Sequence, residues 1–177
     1  MNEQHRRKKF ENIYDQFVKD KTVYASRRSK NPETTADIVA ETFMICWRRL
    51  NDIPDPPDAK FWLYRTARGV ISNAYRKKAN SEQLGKGLSS FLEKHGQDDF
   101  SSSTTDQLFV REELNKLDDD DKEIIMLKYW DGMKAKEIAE IIGISTVAAR
   151  KRLNRASKLL KVRLENDEDQ NWTINEH

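Results

Sequence analysis

The sequence predicts an all-α chain of two small helical domains joined by a flexible linker, and three observations carry that prediction. Only 6 glycines and 4 prolines interrupt 177 residues, so long helices can run without breaks. Apolar residues recur at three- and four-residue spacing in several stretches, the period of an amphipathic helix. Between two such regions, residues 81–107 show no sustained period and are rich in Ser, Gly, Asp and Gln, the composition of a linker.

The elements follow in chain order. Phe10, Ile13, Tyr14, Phe17 and Tyr24 set a first helix to about Arg28, which Asn31-Pro32 ends. Thr34 or Thr35 can cap a second helix running to Leu50, with Val39, Phe43, Cys46, Trp47 and Leu50 as its apolar stripe and Asp37, Glu41, Arg48 and Arg49 opposite. The next seven residues, Asp52 to Asp58, hold three prolines and three acids and read as a stiff extended loop. A third helix is expected from about Ala59 to Ala79. Within the linker, Leu88, Phe91 and Leu92 suit a short helical turn or a docking patch. Beyond it, Leu108–Leu117 and Asp121–Trp130 read as helices, with the carboxylates of Asp118 to Asp121 placed to favour a helix N-terminus through its dipole.

Charge is segregated along the chain. Residues 1–80 carry 17 basic and 10 acidic groups, residues 81–110 carry 2 and 5, residues 111–164 carry 13 and 10, and residues 165–177 carry 0 and 5. The stretch from Ile141 to Leu164 has seven basic residues and no acid. Such blocks suit a polyanion, although a solvated helix face has the same composition. Other classes lose ground. No run of 18 apolar residues and no leader pattern is present, so a soluble, non-secreted, cytoplasmic chain without a membrane span is expected. Cys46 is alone, which excludes an internal disulfide and a cysteine zinc site. His5, His95 and His177 have no ligand spacing and no nucleophile beside them, so neither a metal nor a catalytic triad is expected, nor any cofactor.

In the C-terminal half, Ala139 lies four residues before Gly143, with Ile138, Ile142, Ile144, Ala149 and Leu153 where two crossed helices would touch. This is the helix-turn-helix pattern: the small side chain lets the helices approach, the glycine takes the left-handed turn, and Ser145 can cap the second helix. Ala149, Leu153, Ala156, Leu160 and Leu164 would then be buried. Thr146, Arg150, Lys151, Asn154, Arg155 and Lys158 would face a major groove and its phosphates.

In the N-terminal half, the third helix has a predicted buried stripe of Leu63, Ala67, Val70 and Ala74. Arg65, Arg68 and Arg76 form a basic row, and Trp62, Thr66, Gly69 and Asn73 form a mixed one. Aromatics beside arginines suit unstacked bases, where stacking adds about 1 to 3 kcal/mol per base. Phe61, Trp62 and Tyr64 equally suit packing on Phe43 and Trp47, so both roles stay open. Gly69 costs about 1 kcal/mol relative to Ala in a helix, which points to a close approach by another backbone or a base.

The segments DIVAETFMICWRRL and FWLYRTAR, followed in the second half by LKYWDGMKAKEIAEIIGIS and RKRLNRA, resemble regions two and four of the extracytoplasmic-function sigma factors, a class of bacterial promoter-specificity subunits. The resemblance implies a region-two domain over residues 1–80, a linker over 81–107, a region-four domain over 108–164 and an acidic tail over 165–177. It implies a non-enzymatic protein that binds core RNA polymerase and directs promoter recognition and DNA melting. Asp37, Glu41, Arg48 and Arg49 match the polymerase-binding face. Trp62, Arg65, Arg68, Asn73 and Arg76, with the Asp52–Asp58 loop, match the part that opens the minus-ten element and captures a flipped base. Thr146, Arg150, Lys151, Arg152 and Arg155 match the reader of the minus-thirty-five element. Promoter DNA, both duplex and single-stranded, and an anti-sigma factor are the further partners implied.

The chain departs from the family at Ala40, where Gln is frequent, at Gly69, where Asn is frequent, and at Ala148-Ala149, where Thr-Val is usual. The tail from Glu165 matches nothing there and suits either disorder or a cover over a basic surface. Two other readings compete: a free-standing helix-turn-helix regulator, and a nucleic-acid-processing enzyme using a magnesium ion at Asp118 to Asp121.

Overall fold

The computed structural model describes residues 2–84 and 105–174, and every regular element among them is helical. The chain divides into two units, Met1–Asp99 and Phe100–His177, with the boundary inside the expected linker. The patch expected at Leu88, Phe91 and Leu92 lies outside the described residues.

The first unit packs three helices pairwise: α1 (Glu3–Ser26), α2 (Pro32–Arg48) and α3 (Ala59–Leu84). The cap of α2 is Asn31, not a threonine: its side chain accepts from the Thr34 N–H at 2.8 Å, and Pro32 fills the first position, where its missing N–H costs nothing. Thr35 is instead buried, sharing a 2.5 Å hydrogen bond with the Ser29 hydroxyl.

Apolar side chains from all three helices meet in one core of Ile13, Phe17, Phe43, Cys46, Leu50, Ile53, Ala59 and Leu63. Further along, Tyr24 stacks edge-on against Tyr64 at 5.0 Å. The buried Lys21 ammonium lies 3.0 Å from the centre of the Tyr64 ring, a cation–π contact that joins α1 to α3.

Two expectations for this unit change. Ala74 is exposed, and burial on α3 falls instead on Leu63, Tyr64, Ala67, Val70 and Ile71. From Ser72 to Ser81 every residue is exposed, although the Tyr75 hydroxyl still donates to the Arg28 carbonyl at 2.5 Å. Trp47, expected in the buried stripe, is 37% exposed.

The second unit contains α4 (Thr105–Asn115), α5 (Asp119–Tyr129), α6 (Ala135–Ile142) and α7 (Thr146–Ile174). Helix α7 packs against the other three, over a core including Leu114, Leu117, Ile124, Ile125, Leu127, Ile138, Ile141, Ala149 and Ala156. Leu153, Leu160 and Leu164 are half-buried at its margin. Helix α7 also continues through the acidic segment as far as Ile174, so that segment is not a coil beginning at Glu165.

Candidate nucleic-acid interface

Helices α6 and α7 meet as the spacing predicted. Gly143 takes φ +84°, a left-handed conformation costly for any other residue type, and its N–H and that of Ile144 both return to the Ala139 carbonyl at 2.9 and 3.1 Å. Ser145 then caps α7, its hydroxyl accepting from the Ala148 N–H at 3.0 Å. The cap fixes where the first turn of α7 begins. Arg150, Lys151, Asn154, Arg155 and Lys158 all stand exposed, at spacings that place them along one side of the helix, and Thr146 is half-buried at its start.

Arg152 does not join that face. Its Nε donates to Asp121 Oδ1 at 2.7 Å, and its two terminal nitrogens lie 3.4 Å from Asp118 and 3.4 Å from Asp120. The hydrogen bond it donates to Asp121 and the charges of all three carboxylates push the Arg152 pKa above its ordinary value. Asp118 is the N-cap of α5, accepting from the Asp121 N–H at 2.8 Å; that bond above all, with Arg152 beside it, holds its carboxyl below the usual range. The run of four acids therefore has an occupation of its own: it starts α5 and fastens α7 to it. Arg155 is shared, 3.7 Å from Asp121 yet with a side chain 70% exposed.

On α3, Arg65, Gly69, Asn73 and Arg76 are exposed, while Trp62, Thr66 and Arg68 are half-buried. Trp62 partly packs on the three-helix core, and its carbonyl accepts from the Thr66 hydroxyl at 2.9 Å. Both roles foreseen for this ring are thus available to it, whereas Tyr64 is buried and belongs to the interior. A Cβ on Gly69 would meet nothing within 4 Å, so no described residue crowds that glycine.

On α2, Asp37, Glu41, Arg48 and Arg49 are all exposed. Arg49 also pairs with Asp52 at 3.4 Å across open surface, a contact of small energetic weight. Beside this polar row lies an apolar groove lined by Phe10, Tyr14, Ala40, Phe43, Met44 and Trp47. Its floor is a set of tilted and edge-on rings, with Phe10 5.3 Å from Trp47 and Tyr14 4.8 Å from Phe43.

Comparison with known families matches residues 13–81 to sigma-70 region 2 and residues 110–160 to sigma-70 region 4, together about two thirds of the chain. The chain belongs to the sigma-70 family. Among its relatives, RNA polymerase sigma factor SigZ of Bacillus subtilis is 29% identical over 155 residues, covering 88% of this chain and 86% of the relative. The ECF RNA polymerase sigma factor SigL of Mycobacterium tuberculosis is 25% identical over 154 residues, covering 86% and 87%. The sigma factor RpoE, solved with the anti-sigma factor NepR from Bartonella quintana, shares the fold with a TM-score of 0.69 at 22% identity, covering 88% of this chain and 96% of that one. CnrH, solved with the cytosolic domain of CnrY, gives 0.63 at 22% identity, covering 89% and 88%.

This is therefore a sigma factor of the extracytoplasmic-function class, a transcription initiation factor that directs promoter recognition. No described helix is long and apolar enough to cross a membrane. Sequence reasoning missed two features of the sigma factor's surface. Val147 is 60% exposed in the first turn of α7, beside the basic face, and its apolar side chain gave no signal that it would point outward. Met44 is 53% exposed in the α2 groove; its signal was a position off the apolar stripe and on the side of Asp37 and Glu41.

Proposed function

We propose that residues 1–80 dock on core RNA polymerase and part the minus-ten strands, that residues 108–164 read the minus-thirty-five duplex, and that residues 81–107 span the two. The polymerase surface is the exposed side of α2, with Asp37, Glu41, Arg48 and Arg49 as its charged groups and the adjoining groove as its apolar one. Such a patch, apolar at the centre and charged at the rim, is the usual make-up of a protein interface.

At the minus-ten element, Trp62 offers a stacking face, and Arg65, Arg68, Asn73 and Arg76 hold the backbone of the displaced strand. Unstacking a base costs a few kcal/mol, which a stacking gain of about 1 to 3 kcal/mol per base and the phosphate contacts offset. At the minus-thirty-five element, Arg150, Lys151 and Arg155 reach base edges and phosphates, Thr146 sits at the helix start, and Val147 meets a thymine methyl. Arg152 serves by fastening the reading helix rather than by reading. The chain makes and breaks no bonds itself; the polymerase does, and the protein works in the cytoplasm beside it. An anti-sigma factor is the further partner, as for the relatives solved with NepR and CnrY.

The observation that carries this reading is the exposed basic side of α7, displayed by the left-handed Gly143 turn. The test is transcription by purified core polymerase on a promoter library, with and without this chain. New start sites that appear only with it support the reading; unchanged start sites and no association with the polymerase overturn it.

A further inference from the structure

The loop between α2 and α3 is held from outside by the first turns of α1, a connection that the sequence gives no sign of. The Lys9 ammonium donates to the Ile53 carbonyl at 2.5 Å and pairs with the Asp55 carboxylate at 3.1 Å. Three residues earlier, Arg6 donates to the Asn51 side-chain oxygen at 3.2 Å and to the Trp47 carbonyl at 3.1 Å, with its guanidinium 5.2 Å from the Trp47 ring centre. The Trp47 carbonyl belongs to the last turn of α2, where carbonyls lack helical partners and a cation is favoured by the dipole.

Lys9 itself is mostly enclosed, at 18% side-chain exposure, while Asp55 is 81% exposed. Leu50, Ile53 and Ala59 are buried in the three-helix core, and Asp52, Pro54, Asp55, Pro57 and Asp58 stand outward. The loop is thus pinned at both feet by apolar burial and at its middle by one lysine. Within the loop the Asp58 N–H donates to the Asp55 carbonyl at 3.1 Å, and Lys9 adds the restraint from outside, tying the Ile53 carbonyl and the Asp55 carboxylate to α1.

We propose that Lys9 and, more weakly, Arg6 are positioning residues that set the Asp52–Asp58 loop for discriminating the captured minus-ten base. The inference rests on assigning that loop to the capture of a minus-ten base, as the family resemblance implies. A recognition loop must be held to within about half an ångström to tell one base from another, and a lysine bridging carbonyl and carboxylate supplies that restraint. Lys9→Met removes both contacts at similar length, and Lys9→Arg keeps a donor for each.

The measurement is binding of holoenzyme to single-stranded oligonucleotides carrying the selected minus-ten sequence, with each base in turn at every position. In Lys9→Met, preference at one position should fall about tenfold, with core polymerase affinity and melting temperature nearly unchanged, and Lys9→Arg should restore most of it. Preference kept intact in Lys9→Met, or an equal loss on every oligonucleotide, overturns the inference and leaves the loop reading standing. A wild-type holoenzyme without preference at any position overturns both. Should Lys9→Met fail to fold, Arg6→Gln, which cuts only the outer bonds, decides: a loss of preference confined to one position supports the proposal, and preference unchanged at every position refutes it.

Discussion

Two arginines separated by one residue have opposite assignments on α7. Arg150 is exposed on the basic side, and Arg152 is gripped by Asp118, Asp120 and Asp121. Arg150→Ala should therefore cost about 1 to 3 kcal/mol of promoter affinity and relax preference at one base pair of the minus-thirty-five element. Binding titrations against single-base variants check this; an equal loss on all of them would mark a phosphate contact instead. Cys46 gives a second expectation. Its burial pushes the thiol up from 9.0 to about 11, against a smaller downward pull from the Lys9 charge. Because the thiolate is the reactive form, the native protein should resist a thiol reagent at neutral pH and react once unfolded in guanidinium. The unfolded chain ionises first as pH rises, so stability should decline between about pH 9 and 11. Rapid native labelling, or an alkaline unfolding curve identical in Cys46→Ala, would contradict it.

Among the helices, α3 shows how far packing and function diverge along one rod. Its first half is covered by α1 and α2, and from Ser72 to Ser81 every residue is exposed. Gly69 sits at the changeover in ordinary helical geometry with open space around it. None of the described residues requires a glycine there, so Gly69→Ala should stabilise the protein by about 0.5 to 1 kcal/mol, seen as a raised melting temperature. If promoter opening falls in the same variant, the space above Gly69 is needed by a base or by the polymerase. Unchanged opening would show that the glycine is dispensable to both. The helix-turn-helix was readable at this scale because Ala139, Gly143 and Ser145 each answer a local requirement: close approach, left-handed backbone and a cap. The start of α2 was less so, since Asn31, Thr34 and Thr35 are all competent caps and only the backbone path selects one.

For the whole molecule, a net charge of +2 hides two basic units and an acidic tail that closes the chain. Binding through such units releases counterions from DNA, so promoter affinity of the holoenzyme should fall steeply with salt. Lys158→Ala, on the exposed side of α7, should reduce the slope of log affinity against log salt by about 1 while leaving sequence preference alone. A slope that does not change would remove Lys158 from the phosphate contacts.

The helices among the described residues, the helix-turn-helix, the segregation of charge and the family were all legible from residue order, because periodicity, turn chemistry and charge are local properties. Which face of an apolar stripe is covered was not. Ala74 keeps the right period but is exposed, Trp47 stays 37% exposed although Phe10 and Arg6 of α1 lie against it, and Met44 opens a groove only because α1 lies beside α2 without covering it. The same limit applies to charge. Arg152 and Asp121 are 31 positions apart, as Lys9 and Ile53 are 44 apart. Whether such a cation meets solvent, a nucleic acid or an acid of its own chain depends on how distant helices are folded together, and composition cannot report that.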